Sequence, residues 1–210
     1  MRPRAVVFDL DGTLVDSAPS LHRACVATLT ALGHRPPTLE EVTGFIGDGV
    51  AMLVARCLAA AGAPPSEEAV HVFRAIYDAD PLTGVALMPG AREALAALDG
   101  RGIALGLCTN KPMAPTRTLL AGLTLGPFAC VVAGDSLPAR KPDPAPLLHA
   151  LDLLGTAPAD ALYVGDSRVD AQTARAAGVP YLHVEGGYLS ADLPEGTRRC
   201  GSLHEIIEIM

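Results

Sequence analysis

The chain has 210 residues, half of them hydrophobic, which is enough for one core domain with a smaller insert or for two modest domains. Its formal net charge of −7 excludes a broad basic surface, and with it nucleic acid as a main partner, but allows a local basic pocket for one phosphate. No stretch reaches the ~20 apolar residues of a membrane span, and Asp9 and Asp11 interrupt the first apolar run too early for a secretory segment. The cysteines Cys25, Cys57, Cys108, Cys130 and Cys200 are scattered and form no C-x-x-C pair, so reduced thiols in a soluble, cytoplasmic protein are the expectation.

Ala5 to Phe8 is a short β-branched run that reads as a buried strand ending in the turn Asp9 to Gly12. Ser17-Ala18-Pro19 is a helix-start pattern, and Leu21 to Leu32 reads as helix up to Gly33. Thr38-x-x-Glu41 is a capping-box pattern that opens a helix broken by Gly44, Gly47 and Gly49 and resumed from Val50 to Ala61. Ser66-Glu67-Glu68 opens another helix, to about Asp80.

After Pro89-Gly90 the rhythm changes to alternating helix and strand. Helices are expected over Ala91 to Leu98, Thr116 to Leu123, Ala145 to Leu154 and Val169 to Ala177. Strands are expected over Ile103 to Cys108, Ala129 to Ala133, Ala161 to Val164 and Tyr181 to Val184, and Ser202-x-x-Glu205 can cap a last short helix. This alternation predicts an α/β fold, a Rossmann-like parallel sheet covered on both faces. The all-helical block breaks it and reads as an insertion, giving a core of residues 1–16 and 85–210 and a helical unit of 17–84.

Four predicted strand ends carry polar constellations. Asp9-x-Asp11-Gly12 sets two carboxylates at the end of the first strand, where open α/β sheets bind ligands, although Asp and Gly also make ordinary turns. Thr109-Asn110-Lys111 offers a hydroxyl and an amide after the second expected strand. Lys141 lies in Arg140-Lys141-Pro142, beside prolines that restrict it. Asp166 and Asp170 are four apart after another strand, a register that favours a metal, although Asp and Ser there are also common helix caps. A parallel sheet gathers all four ends on one rim, where acids, one lysine and hydroxyl donors fit a phosphate held between a hard cation and an ammonium group.

In order and spacing these segments resemble the haloacid dehalogenase superfamily. Asp9-Leu10-Asp11-Gly12-Thr13-Leu14-Val15-Asp16-Ser17 is similar to its first motif, with Thr109, Lys141 and Asp166/Asp170 similar to the second, third and fourth. The resemblance implies a Mg2+-dependent phosphatase with Asp9 as nucleophile and metal ligand, forming an aspartyl phosphate. It implies Asp11 as general acid and base and, through its backbone carbonyl, a metal contact. Thr109 and Asn110 are then donors to the phosphoryl oxygens, Lys141 a neutralising cation, Asp166 a metal ligand and Asp170 a supporting acid.

The helical insert resembles the small cap of that superfamily, which closes over the site. Gly44-Phe45-Ile46-Gly47-Asp48-Gly49 looks like the cap loop of phosphoglycolate phosphatases, with Gly47 at the substrate. Arg56 on the next helix can pair with a substrate carboxylate or stand exposed in solvent. The expected partner is a small phosphate ester, 2-phosphoglycolate first, and the chain is expected as a monomer or homodimer. Another small sugar or N-acetylmuramate phosphate, a phosphomutase related to β-phosphoglucomutase, and an inactive binding protein of the same fold are the alternatives. The glycine loop has no Lys or Arg, which disfavours the mutase.

Overall fold

The structure is a computed structural model that describes residues 3–188, 193 and 195–209. Strand β1 (Ala5–Phe8) is wholly buried, as its continuous apolar sequence predicts. The two-residue strand β2 (Val15–Asp16) follows and leads into α1 (Ala18–Ala31). Helices α2 (Leu39–Phe45), α3 (Val50–Ala60) and α4 (Glu67–Ala79) complete a four-helix unit, from which the chain returns through β3 (Ala86–Leu87).

Sequence explains the ends of these helices. Thr38 accepts from the Glu41 amide while the Glu41 carboxylate accepts from the Thr38 amide, so the expected capping box forms. Ser66 caps α4 through the Ala69 amide. Ser17 departs from expectation: it precedes α1 but its hydroxyl makes no cap bond there, and donates instead to Asp11.

Beyond β3 come α5 (Ala91–Asp99), β4 (Ala104–Cys108), α6 (Met113–Gly122), β5 (Cys130–Val132) and α7 (Ala145–Leu153). They are followed by β6 (Ala161–Gly165), α8 (Arg168–Ala177), β7 (Tyr181–Val184), β8 (Arg199–Cys200) and α9 (Leu203–Ile209). Helix α6 starts three residues earlier than its apolar pattern suggests, because Pro115 falls in the first turn, where a missing N–H costs no helical bond.

The six-stranded sheet has the order β5-β4-β1-β6-β7-β8, and every pairing in it is parallel. From β1 the chain builds outward through β4 and β5, then crosses back to β6 on the other side. The carboxyl ends of β1 and β6 therefore flank a topological switch point, where an open α/β sheet leaves a crevice. A separate two-stranded ribbon, β2 with antiparallel β3, joins the two crossings between sheet and helices.

Alternate side chains of the strands serve opposite faces. Val6, Phe8, Leu105, Leu107 and Val164 pack with α5 and α9, whereas Val7, Cys108 and Tyr163 pack with α7 and α8. The four helices have their own core, including Leu29, Val42, Leu58 and the stacked rings of Phe73 and Tyr77. All five cysteines are free and buried, and among the described residues no helix is long and apolar enough to cross a membrane.

Candidate active site

Strand β1 ends at Phe8, so Asp9 is the first residue past the sheet rim at the switch point. Its amide donates to the Val164 carbonyl of β6, which fixes it beside the neighbouring strand end. The Asp9 carboxylate accepts from Lys141 Nζ at 2.8 Å. Burial pushes its pKa up to about 7, opposed by the Lys141 ammonium and reinforced by Asp170.

Asp166 follows β6 and is fully enclosed. Thr13 Oγ1 donates to one of its oxygens at 3.0 Å and the Tyr188 amide to the other at 2.8 Å. Burial, then Asp170 and Asp9, raise its pKa well above the carboxylate range. The enclosure is tight: Gly12 has φ +86°, and a Cβ there or at Gly187 would collide with the Asp166 carboxylate.

Asp170 is 0% exposed and has both oxygens engaged. One accepts from Lys141 Nζ at 2.7 Å and from the Tyr163 hydroxyl at 2.8 Å; the other accepts from the Ser167 amide and hydroxyl. Ser167 in turn caps α8 through the Asp170 amide. The two sequence readings of this segment, cap and charged site, thus describe one carboxylate. Burial works against the Lys141 charge, but Asp170 and Asp9 outweigh it and raise its pKa.

The structure brings Asp9, Asp166 and Asp170 together, with one oxygen of each within 4.8 Å of the others. With Asp11, four carboxylates meet two ammonium groups, Lys141 and Lys111. With all four ionised, two negative charges would be left over, the charge that one divalent cation offsets. The donors are hard oxygens, and Asp9 and Asp166 are the suitable pair, since Asp170 already accepts four protein hydrogen bonds.

The remaining expected residues divide into two groups. Asp11, Thr109, Asn110 and Gly47 line a cavity of about 40 Å³ together with Asp9 and Lys111. The Asn110 side-chain amide donates to the Gly47 and Lys141 carbonyls, both at 2.9 Å, so in this structure it braces the rim against the glycine loop. Arg56 is placed differently from expectation. Its guanidinium binds the Asp48 carboxylate at 2.5 Å and the Phe45 carbonyl at 3.1 Å, and it is not among the cavity-lining residues. The acid that pairs with it lies eight residues upstream, within the glycine loop.

Several contributors were not singled out in the sequence. Lys111 carries no role in the motif reading of Thr109-Asn110-Lys111, yet its Nζ is 3.0 and 3.2 Å from the two Asp11 oxygens. Tyr163 is a polar aromatic in an otherwise apolar strand, a usable signal; it accepts from Lys141 Nζ at 2.9 Å. Tyr188 gave no local signal. Its hydroxyl accepts from the Ser17 and Ala18 amides and donates to Asp16, while its own amide holds Asp166.

A profile for haloacid dehalogenase-like hydrolases matches residues 3–178, the stretch that contains every constellation above. The chain belongs to this family. It is also 48% identical over 196 residues to the phosphoglycolate phosphatase of Cereibacter sphaeroides (strain ATCC 17029 / ATH 2.4.9), a match covering 90% of this chain and 88% of that one. Among solved structures, a predicted phosphoglycolate phosphatase from Haemophilus somnus 129pt superposes with TM-score 0.90 at 28% identity, covering 100% of this chain and 98% of the other. CbbY from Rhodobacter sphaeroides in complex with xylulose-(1,5)bisphosphate superposes with TM-score 0.82 at 25% identity, covering 97% and 96%. The chain is therefore a phosphoglycolate phosphatase-like member of the family.

The elevated pKa of Asp9 has a consequence for stability. In the folded protein the group binds a proton up to about pH 7, whereas its ordinary value is 3.8. Between these values the native state holds more protons than the unfolded state, so stability falls as pH rises. Glu41 acts in the opposite sense, because Arg35 and the Thr38 amide lower its pKa from 4.5 to about 2; its contribution is lost below pH 4.5 and overlaps only the lower end of the Asp9 window. Thermal denaturation of metal-free protein should show Tm decreasing from pH 4 to 7, and the increment given by millimolar Mg2+ growing over the same interval. A flat or rising metal-free Tm would contradict the account.

Proposed function

We propose that this phosphatase hydrolyses 2-phosphoglycolate with Mg2+ through an aspartyl phosphate on Asp9, with residues 17–84 acting as a cap. The observation that carries the reading is the placement of Asp9. Its carboxylate, held by Lys141 at 2.8 Å, faces the cavity beside Asp166 at the switch point of the sheet. A Mg2+ ion held by Asp9 and Asp166 would offset their charge and polarise the phosphoryl oxygens.

The protein's own groups account for the proton and bond changes. An Asp9 oxygen forms the new P–O bond while the ester P–O bond breaks, and Asp11 gives a proton to the departing oxygen. Asp11 then takes a proton from the water that attacks phosphorus, which regenerates Asp9 and releases inorganic phosphate. Lys141 stays against Asp9 throughout, and Thr109, in the cavity wall, donates to the transferring group. Leu21, Ile46, Val50, Leu53 and Tyr77 form the opposite, largely apolar wall, which excludes water from the phosphorylated state.

A panel of small phosphate esters assayed with Mg2+ and scored by kcat/KM tests the substrate. 2-Phosphoglycolate should lead sugar phosphates, N-acetylmuramate phosphate and bisphosphates by at least about tenfold, a margin that one satisfied charge contact supplies. A bisphosphate ranked first would transfer the assignment to a CbbY-like activity. Borohydride reduction during turnover, which converts an aspartyl phosphate to homoserine, should mark residue 9, and labelling elsewhere would remove the proposed intermediate.

A further inference from the structure

We infer that Lys111 is the specificity-determining residue of this site: it receives the carboxylate of the substrate and, in doing so, releases Asp11 for proton transfer. The inference rests on the 2-phosphoglycolate reading above. Lys111 follows the Thr109-Asn110 segment at the end of β4, and its ammonium group is buried with the cavity beside it. The Tyr77 ring, contributed by α4, lies 4.9 Å from Nζ and presents its face to the charge.

Charge placement singles out this group. Arg56, the other candidate for a carboxylate, is bound to Asp48 and the Phe45 carbonyl. Lys141 is enclosed by Asp9, Asp170 and Tyr163. Among the residues lining the cavity, Lys111 is the cation. An ester that carries a carboxylate one carbon from its bridging oxygen brings a negative charge to this side when its phosphorus reaches Asp9.

The present partner of Lys111 explains why that arrival matters. Nζ contacts both Asp11 oxygens, at 3.0 and 3.2 Å, and Ser17 Oγ adds a 2.5 Å bond to one of them. So engaged, the Asp11 carboxyl cannot also hydrogen-bond a leaving oxygen in good geometry. A substrate carboxylate that takes over Lys111 replaces one buried ion pair by another, and leaves Asp11 free to face the ester oxygen. A neutral ester offers no such exchange, so selection acts on kcat as well as on KM.

The test compares 2-phosphoglycolate with 2-hydroxyethyl phosphate, in which a neutral CH2OH replaces the carboxylate, in the wild type and in Lys111→Met, with inorganic phosphate release as the readout. The wild type should favour the carboxylate ester by at least about tenfold in kcat/KM. In Lys111→Met the value for 2-phosphoglycolate should fall on the order of 10²–10³-fold, at least about tenfold more than the value for the neutral ester. Lys111→Arg should recover part of the preference, and the exposed Arg140→Gln, just outside the glycine loop, should keep it. Lys111→Gln provides the same comparison if the methionine variant fails to fold. Equal losses on both esters, with the wild-type preference intact, would overturn the role of Lys111 and leave the substrate assignment standing. Absence of a wild-type preference would overturn both.

Discussion

Asp9→Asn should abolish turnover while leaving a protein at least as stable as the parent at pH 8. The amide keeps the volume and an acceptor for Lys141 but cannot form the phosphoenzyme, so kcat should fall on the order of 10⁴–10⁶-fold, the scale seen when a nucleophile is removed. Stability moves the other way because burial raises the Asp9 pKa to about 7. At pH 8 the metal-free native state holds that group ionised at a cost, and a neutral isostere relieves it. Lys141 retains Asp170 at 2.7 Å as a partner. Phosphate release and Tm of the metal-free proteins, measured side by side, check both parts. Activity within tenfold of the parent would refute the nucleophile, and a clear drop in Tm would refute the electrostatic account.

Lys141→Met should instead lose activity and stability together. The lysine joins Asp9, Asp170 and Tyr163, and with it gone Asp170 keeps only hydroxyl and amide donors in a fully buried position. Removing one partner of a buried ion pair costs about 3–5 kcal/mol, because the other charge remains desolvated. Asp170 also closes the capping box of α8, so the start of that helix should loosen with it. Urea unfolding should report the loss, and kcat should fall on the order of 10³-fold through lost stabilisation of the transferring group. The double variant Asp170→Asn/Lys141→Met should regain part of the stability without regaining activity. If the single variant unfolds at the parent's midpoint, the buried charge network is not what holds this rim together.

The contrast between these variants reflects how the site is written into the chain. Its acids and its lysine were legible from sequence because each follows an apolar run that had to be a buried strand, and a parallel sheet sets such ends along one rim. The parallel sheet and its interruption by helices were legible for the same reason: period and punctuation change together near Ala18 and again near Pro89-Gly90. The two-residue strands β2 and β3 and the short β8 were not, since so few residues carry no period and pairing alone defines them.

Within the site, the missing information was of one kind. Lys111 and Ser17 are ordinary in their local sequence, and their importance comes from a partner 100 and 6 residues away; Tyr163 stands out in its apolar strand, but its partner Lys141, 22 residues away, does not show there. Arg56 shows the converse. Its place after the glycine loop suggested a ligand contact, but the competing acid, Asp48, is a neighbour in space that the helix register alone did not reveal.

Tyr188 joins two things that the chain order keeps apart. One end of the residue seats the Asp166 carboxylate near Asp9, and the other grips the first peptides of the helix that leaves the sheet. The turn after β7 therefore acts as a spacer of fixed length between the acidic cluster and the start of the helical unit. Adding or deleting one residue between Val184 and Tyr188 would displace both at once, so this short surface turn should be among the segments least able to change length as related sequences diverge.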